Sequence, residues 1–211
     1  MPTIAIVSQK GGSGKTTLAL HLATCATYDG RKTCVIDMDP QATAAAWGDW
    51  RGDFMPEVLT CPPVRLASTM LKATRGGTEF IVIDTPPQSD MASREAARSA
   101  DLILIPTRAR AFDLHALEAS SELVKYARKP AFVLFNAVPA RASRLIAGAT
   151  TQVGALGLDV CPVHFGERAA FHRAAASGEV ASEIDPEGKA AGEVDALWDW
   201  LSEKLNLQPV G

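Results

Sequence analysis

Short apolar runs alternate along the chain with longer alanine- and leucine-rich stretches. Apolar runs without polar alternation are typical of strands in a parallel sheet that helices cover on both faces. The pattern predicts strands at 3–8, 33–37, 79–84, 101–105, 130–135 and, more weakly, 158–163. It predicts helices at 15–28, 41–51, about 64–74, 89–99, 113–128, 141–155, near 167–177 and 189–205. The proline-containing segment 53–64 is expected to be irregular or an edge strand.

The alternation predicts an α/β fold, with a mostly parallel twisted sheet flanked by helices on both faces. The sequence contains no internal repeat, low-complexity tract or linker, so we expect one domain over 1–211. At 211 residues and 47% hydrophobic content, the chain is long enough to bury a substantial core.

Composition limits the cellular locations and the kinds of partner expected for the protein. No apolar run approaches the length of a membrane span, and the chain enters a predicted core strand at once, which leaves no room for a signal peptide. The four cysteines lack C-x-x-C spacing, which favours free thiols in a cytoplasmic protein. Because the net charge is −3, any binding of nucleic acid must come from a local patch.

A glycine-rich segment follows the first predicted strand and precedes the first predicted helix. Backbone N–H groups in such a loop, together with the positive end of the helix, bind phosphates. The lysine before the helix reaches the terminal phosphates, and the next hydroxyl lies where Mg²⁺ is held. In the usual spacing position 9 is glycine, but here it is Gln9. The segment consists of Lys10, Gly11, Gly12, Ser13, Gly14, Lys15, Thr16 and Thr17.

Two further motifs place carboxylates at the ends of predicted strands. Asp37 and Asp39 follow one apolar run, at the edge of the sheet where open α/β proteins bind ligands. Either both face a Mg²⁺–triphosphate, or Asp39 merely caps the next helix. Asp84 ends a second apolar run, as the Mg²⁺-holding carboxylate of a Walker B site does.

Together these motifs resemble the ParA/MinD-type deviant Walker ATPases, and most of all the small ParA partition proteins that lack an N-terminal DNA-binding extension. Lys10 stands at the position of that group's additional lysine. The resemblance implies that Lys10 reaches the phosphates of a partner subunit, although a solvated loop lysine is the alternative. It also implies that Asp39 orients or activates the attacking water and that Asp37 acts near the metal through water.

The resemblance continues through the second half of the chain. Ile105–Thr107 with Asp113 matches a family segment, whereas Arg108-Ala109-Arg110 departs from it. By resemblance, Asn136 helps to read the adenine. The same resemblance places a loop against the base, formed by Pro162, Val163 and His164.

The function that the resemblance implies is an ATP-dependent, Mg²⁺-requiring switch for DNA partition. ATP would join two copies into a homodimer that binds nonspecific DNA at the nucleoid, and slow, partner-stimulated hydrolysis would release it. A centromere-binding adaptor of the ParB or ParG type would be the partner. The candidate DNA contacts are arginines, which are otherwise solvated or paired on helix faces: Arg141, Arg144, Arg168 and Arg173.

Two other functions remain open at this stage. One is an ATPase of the same fold that positions a protein cargo without binding DNA. The other is a dethiobiotin-synthetase-like ligase, which needs a small-molecule pocket with acid–base groups that the sequence does not indicate. A membrane-bound role is disfavoured, because the apolar face of 193–205 is opposed by an acidic polar face. We expect that helix to pack on its own domain.

Overall fold

The computed structural model describes residues 1–52, 54–175 and 177–209, without the side chains of 111, 112 and 175. Within them, seven strands pair in parallel to form one sheet of order β3-β2-β4-β1-β5-β6-β7. The strands are Thr3–Ile6 (β1), Thr33–Asp37 (β2), Glu57–Thr60 (β3), Phe80–Asp84 (β4), Leu102–Thr107 (β5), Ala131–Phe135 (β6) and Asp159–Val160 (β7). The predicted α/β fold with a parallel sheet is confirmed.

Helices connect the strands. They are Lys15–Tyr28 (α1), Thr43–Arg51 (α2), Leu66–Arg75 (α3), Asp90–Ser99 (α4), Ala111–His115 (α5), Leu117–Ala127 (α6), Ser143–Ala155 (α7), Ala169–Ala175 (α8), Ala181–Ile184 (α9) and Lys189–Lys204 (α10). A 3₁₀ turn at Pro63–Arg65 precedes α3.

The apolar runs are unbroken because the sheet is covered on both faces. Ile4 and Ile6 of β1 pack in one cluster with α1, α2 and α10. Ala5 of the same strand packs in the other, with α3, α4 and α7. Successive side chains of a strand point to opposite faces, so a strand with two buried faces is apolar along its length and carries buried polar residues at its ends, such as Thr3, Asp37 and Asp84.

Three segments differ from the sequence-based prediction. The helix predicted at 113–128 is two helices, α5 and α6, which meet at Ala116. The weak strand predicted at 158–163 shortens to β7. The segment 53–64, predicted to be irregular or an edge strand, contains the edge strand β3, in agreement with the second of these predictions. The short α9 was not predicted, since four residues carry no readable periodicity. Residues 53 and 176, within two of the predicted segments, lie outside the described residues.

The C-terminal helix packs on its own domain, as expected. Its Val194, Leu197 and Leu201 are buried, and its Trp198 meets Phe80 of β4 edge-on at 5.2 Å. Of the helices in the described residues, none is both long enough and apolar enough to span a membrane.

One buried histidine joins α1 to α9. His21 Nδ1 donates to the Thr17 carbonyl at 2.7 Å, so its Nε2 is free to accept from the Ala181 N–H at 3.0 Å. A second proton on the ring would place an Nε2–H group against the Ala181 N–H, and this hydrogen bond would be lost. Burial lowers the pKa of His21 to about 4, so the folded protein keeps this ring neutral.

This histidine makes stability depend on pH. The pKa of His21 is near 6.5 in the unfolded chain and about 4 in the folded chain. Between these two pH values the unfolded chain binds a proton at His21 and the folded chain does not. The contribution of His21 to the free energy of unfolding is therefore complete above pH 6.5. It decreases as the pH is lowered, by about 3 kcal/mol in all. In urea unfolding, His21→Gln should be less stable than wild type at neutral pH, and the gap should narrow towards pH 4. The exposed-site control His115→Gln should track wild type, and a constant gap for His21→Gln would contradict the assignment.

Candidate functional site

The glycine-rich loop lies between β1 and α1, at the carboxyl edge of the sheet. Gly14 precedes α1 with φ = +95°, a conformation that side chains rarely adopt, and an added Cβ would lie 2.0 Å from Asn136 Nδ2. Among the described residues, no backbone acceptor meets the N–H groups of 11–14. These N–H groups and the positive end of α1 are therefore available for an anion, as in phosphate-binding loops.

Asn136, which directly follows β6, holds this loop in place. Its Nδ2 donates to the Ser13 carbonyl at 2.8 Å, and its Oδ1 accepts from the Ala137 N–H at 2.8 Å. Its backbone N–H donates to the Thr107 carbonyl at 2.7 Å. The sequence did not indicate this bracing role, and the contact with adenine stays a prediction.

The loop hydroxyl and the Walker B carboxylate meet directly. Thr16 Oγ1 donates to Asp84 Oδ2 at 2.6 Å, while the buried Asp84 Oδ1 has no partner among the described residues. Burial raises the pKa of Asp84 to about 7, against the lowering effect of the Thr16 hydrogen bond. A buried carboxylate oxygen without a partner, beside a hydroxyl, suits a hard cation such as Mg²⁺.

The protein supplies only part of such a cation's ligands. Within the described residues, no group of three or more His, Cys, Asp or Glu side chains could hold a metal. This fits Mg²⁺, which keeps several waters and binds through one or two protein groups plus substrate phosphates. The residues present therefore fit Mg²⁺ bound together with a nucleotide.

Lys15 is buried behind the loop, with its Nζ donating to the Lys10 carbonyl at 3.2 Å. Burial lowers the pKa of Lys15, whereas the carboxylates of Asp84 and Asp39 raise it. A cation held in a desolvated place interacts strongly with any phosphate that enters. The contact of Lys15 with the terminal phosphates stays a prediction.

Asp37 has a structural task that the sequence did not reveal. Its Oδ1 accepts from the Asp39 N–H at 2.9 Å, and its Oδ2 accepts from the N–H groups of Ala44 and Ala45 at 3.0 and 3.2 Å. The last two are orphan donors of the first turn of α2. Asp37 therefore fixes the turn that carries Asp39, and its action on a metal through water stays a prediction.

Asp39 does not cap α2, so that alternative is wrong. Its Oδ1 accepts from the Gln41 N–H at 2.9 Å, within the turn before the helix. The helix begins later, at Thr43, and Asp37 satisfies its first N–H groups. Asp39 is partly exposed at the end of β2, where its predicted role with water remains a prediction.

Lys10 contacts a residue far along the chain. Its Nζ meets Asp113 Oδ1 at the start of α5. The Lys10 side chain is 45% exposed, and that of Asp113 is only 7% exposed. In the single chain Lys10 thus turns to Asp113, and its reach to a partner subunit stays a prediction.

The loop expected to pack on the base lies beside Asn136. The Phe165 N–H donates to the Phe135 carbonyl at 2.9 Å, which joins this loop to the end of β6. A cleft here is lined by Pro162, Val163, His164, Arg168, Lys189, Gly192, Glu193 and Ala196. The predicted base-binding residues are therefore near Asn136, while their contacts with a base stay predictions.

The four candidate DNA-binding arginines differ in their surroundings. Arg141 and Arg144 are exposed around the start of α7, and Arg173 is exposed on α8. Arg168 is paired with Glu193, with its Nε 3.0 Å from Glu193 Oε1. The charge of Arg168 is therefore offset within the chain, as the alternative for these arginines expects.

Comparison with known proteins agrees with this site. Residues 4–181 match the family model described as the CobQ/CobB/MinD/ParA nucleotide binding domain. The chain is a P-loop nucleotide-binding protein, and it belongs to the ParA/MinD family. The resemblance inferred from the motifs is confirmed.

Individual relatives sharpen the comparison. The chain is 30% identical over 200 residues to the maintenance of carboxysome distribution protein A of Halothiobacillus neapolitanus, covering 90% of this chain and 91% of that protein. It is 33% identical over 117 residues to protein ParA of Rhizobium radiobacter, covering 54% of this chain and 51% of that protein. The ATP complex of a Cyanothece McdA variant matches 100% of this chain and 98% of that one, with TM-score 0.73 and 18% identity, which shows the shared fold.

The phosphate loop offers a test of this geometry. Gly14→Ala should lower the free energy of unfolding by about 1–3 kcal/mol, because alanine is strained at this φ and its Cβ meets Asn136. Asn136→Ala should cost less stability in the Gly14→Ala background than in the wild type, because there it also relieves the clash. Gly11→Ala is the matched control, since nothing lies within 4 Å of its added Cβ. Urea unfolding without nucleotide measures all four variants, and equal losses for Gly11→Ala and Gly14→Ala would refute the assignment.

Proposed function

We propose that this protein is an ATP-dependent switch that positions a large protein cargo in the cytoplasm. The observation that carries the proposal is the extent of similarity. Two carboxysome distribution proteins, each 30% identical, align over 90% and 96% of this chain. The ParA and Soj relatives align over 54% and 59%. Cargo positioning, the alternative left open by the sequence, thus has more support than DNA partition.

The chemistry proposed for the switch is hydrolysis of ATP. The loop N–H groups and Lys15 bind and orient the phosphates, and Asp39 positions a water in line with the terminal phosphate. Thr16 and Asp84 would hold Mg²⁺, which when bound neutralises charge on the phosphate oxygens. Positioning and charge stabilisation account for most of the catalysis in phosphoryl transfer.

Lys10 makes this chemistry conditional on assembly. In the single chain it meets Asp113, so of the two lysines of the glycine-rich segment only Lys15 would meet the phosphates of an isolated subunit. In an ATP-bound homodimer, Lys10 of each subunit would leave Asp113 and approach the phosphates of the other. ATP would then hold the dimer together, and hydrolysis would release it.

Substitutions separate the three steps of binding, assembly and hydrolysis. Asp39→Ala should dimerise with ATP but not hydrolyse it, and Lys15→Ala should bind no nucleotide. Lys10→Ala should bind ATP normally, stay monomeric and lose turnover by about 1000-fold or to background, as when a charge acting in trans is removed. Sedimentation and phosphate release measure these outcomes, with the exposed Lys72→Ala as control. Normal dimerisation and turnover of Lys10→Ala would rule out the role in trans.

DNA partition is the second candidate, because ParA and Soj relatives also match. Random-sequence duplex DNA should be tested with no nucleotide, ADP or ATP, using Asp39→Ala to retain ATP. Tight, salt-sensitive binding only with ATP would show that the dimer rides on DNA. None of the relatives compared above is a ligase, so the dethiobiotin-synthetase-like alternative gains no support.

Cargo positioning is tested in the host cell. The Asp39→Ala variant with bound ATP is used to capture proteins. A protein that it captures, and that the Lys15→Ala variant does not, is tagged fluorescently as a candidate cargo component. Loss of the gene should disturb the even spacing of this component and leave plasmid and chromosome inheritance unchanged. Defective inheritance with normal spacing would support partition instead.

A further inference from the structure

Three large aromatic side chains are exposed close together on one side of the molecule. Tyr28 at the end of α1 is 63% exposed, Trp50 in the last turn of α2 is 62% exposed, and Phe54 just beyond it is 77% exposed. Grouped exposed aromatic residues commonly mark interaction sites, whereas single ones need no explanation. These three line neighbouring surfaces of one groove.

The groove consists of two clefts that share Phe54 and Met55. The first runs between α2 and residues 56–60, which include the edge strand β3. The second lies between Tyr28, Trp50 and residues 177–179 with Glu183. We call the joined clefts the α2 groove.

A rigid guanidinium forms the floor of the α2 groove. Arg51 donates to both carboxylate oxygens of Glu183 at 3.0 and 2.7 Å, to the Met55 carbonyl at 2.8 Å and to the Gly178 carbonyl at 2.9 Å. It also lies over the Trp47 ring at 4.9 Å. The positive charge of Arg51 is therefore fully engaged and is not free to attract a ligand.

The remaining charge of the α2 groove is negative. Its described charged side chains are four carboxylates and one guanidinium, which leaves a net charge of −3: Asp49, Glu57, Glu179, Glu183 and Arg51. Asp49 and Glu57 are exposed and form no ion pair with a described residue. A ligand of this groove must therefore bring positive charge as well as apolar surface.

We propose that the α2 groove binds a positively charged segment of a partner protein, anchored by an apolar or aromatic side chain. Tyr28, Trp50 and Phe54 offer apolar contact and faces for cations, and Asp49 and Glu57 offer complementary charge. A second copy of this chain does not fit, because a two-fold contact would set the same carboxylates against each other. Nucleic acid is repelled for the same reason.

Trp50 provides the direct readout. The protein has four tryptophans, so ¹⁵N-labelled protein gives four indole signals, and Trp50→Phe identifies that of Trp50. The probe is a 15-residue peptide of alternating lysine and leucine. The matched peptides replace leucine with serine or lysine with glutamate. The lysine–leucine peptide should shift the Trp50 signal saturably, the lysine–serine peptide should bind about 10-fold more weakly, and the glutamate–leucine peptide should not bind.

Charge reversal within the groove gives the decisive comparison. Asp49→Lys with Glu57→Lys should weaken binding of the lysine–leucine peptide about 10-fold or more. A matched double charge reversal outside the groove, Glu118→Lys with Glu122→Lys on α6, should leave the binding of this peptide unchanged. The buried residues of α6 pack on the other face of the sheet, which keeps these controls away from the groove.

Three results would overturn the proposal. The first is a peptide-induced shift at other tryptophans with none at Trp50, and the second is equal binding by the groove and control variants. The third is self-association in sedimentation that Trp50→Ala abolishes, which would make the groove a contact between copies. The test requires neither hydrolysis nor cargo, so its failure would leave the proposed ATP switch intact.

Discussion

The parallel pairing of β1, β2 and β4 is the constraint on which the rest of the site depends. The register aligns Ile6 with Asp84, and Asp84 with Asp37. The phosphate loop that follows β1 therefore emerges beside both carboxylates, at the carboxyl edge of the sheet where open α/β proteins bind ligands. A slip of one residue would turn these buried side chains to the opposite face, so the hydrophobic pattern that sets the register also assembles the site.

The same edge gathers carboxylates that repel one another, and the protein limits the cost in different ways. Asp37 accepts three backbone N–H groups, which favour its charged form against the burial that raises its pKa. Burial nevertheless prevails, and the pKa of Asp37 is raised overall. Asp84 has one hydroxyl donor, its second oxygen lacks a partner among the described residues, and burial raises its pKa to about 7. An uncompensated buried carboxylate is costly. A cation at Asp84 would remove this cost, whereas Asp37 is already satisfied.

The sequence predicted the elements well because their signals are local. Helix α1 was predicted with its observed ends, since a loop glycine precedes it and the alanine- and leucine-rich run ends at Tyr28. Two of the contacts that were missed join distant parts of the chain: Asn136 with Ser13, and Lys10 with Asp113. A third, between Asp37 and the first turn of α2, spans only seven or eight residues but bridges a strand end and the next helix. Each depends on how strands and helices come together in space, which no periodicity encodes. The α2 groove was missed for the same reason, because its lining comes from α1, α2, the edge strand β3 and the segment 177–183.

Helix α1 connects the phosphate site with the α2 groove. Its first turn carries Thr16 and Thr17, which line a small cavity together with Trp50. Trp50 and Glu179 line both this cavity and the α2 groove. If phosphate binding moves Trp50, the nucleotide changes the affinity of the α2 groove for its ligand. By thermodynamic linkage, the ligand then changes the affinity for the nucleotide by the same factor. A partner bound in the α2 groove would then sense the nucleotide without touching it.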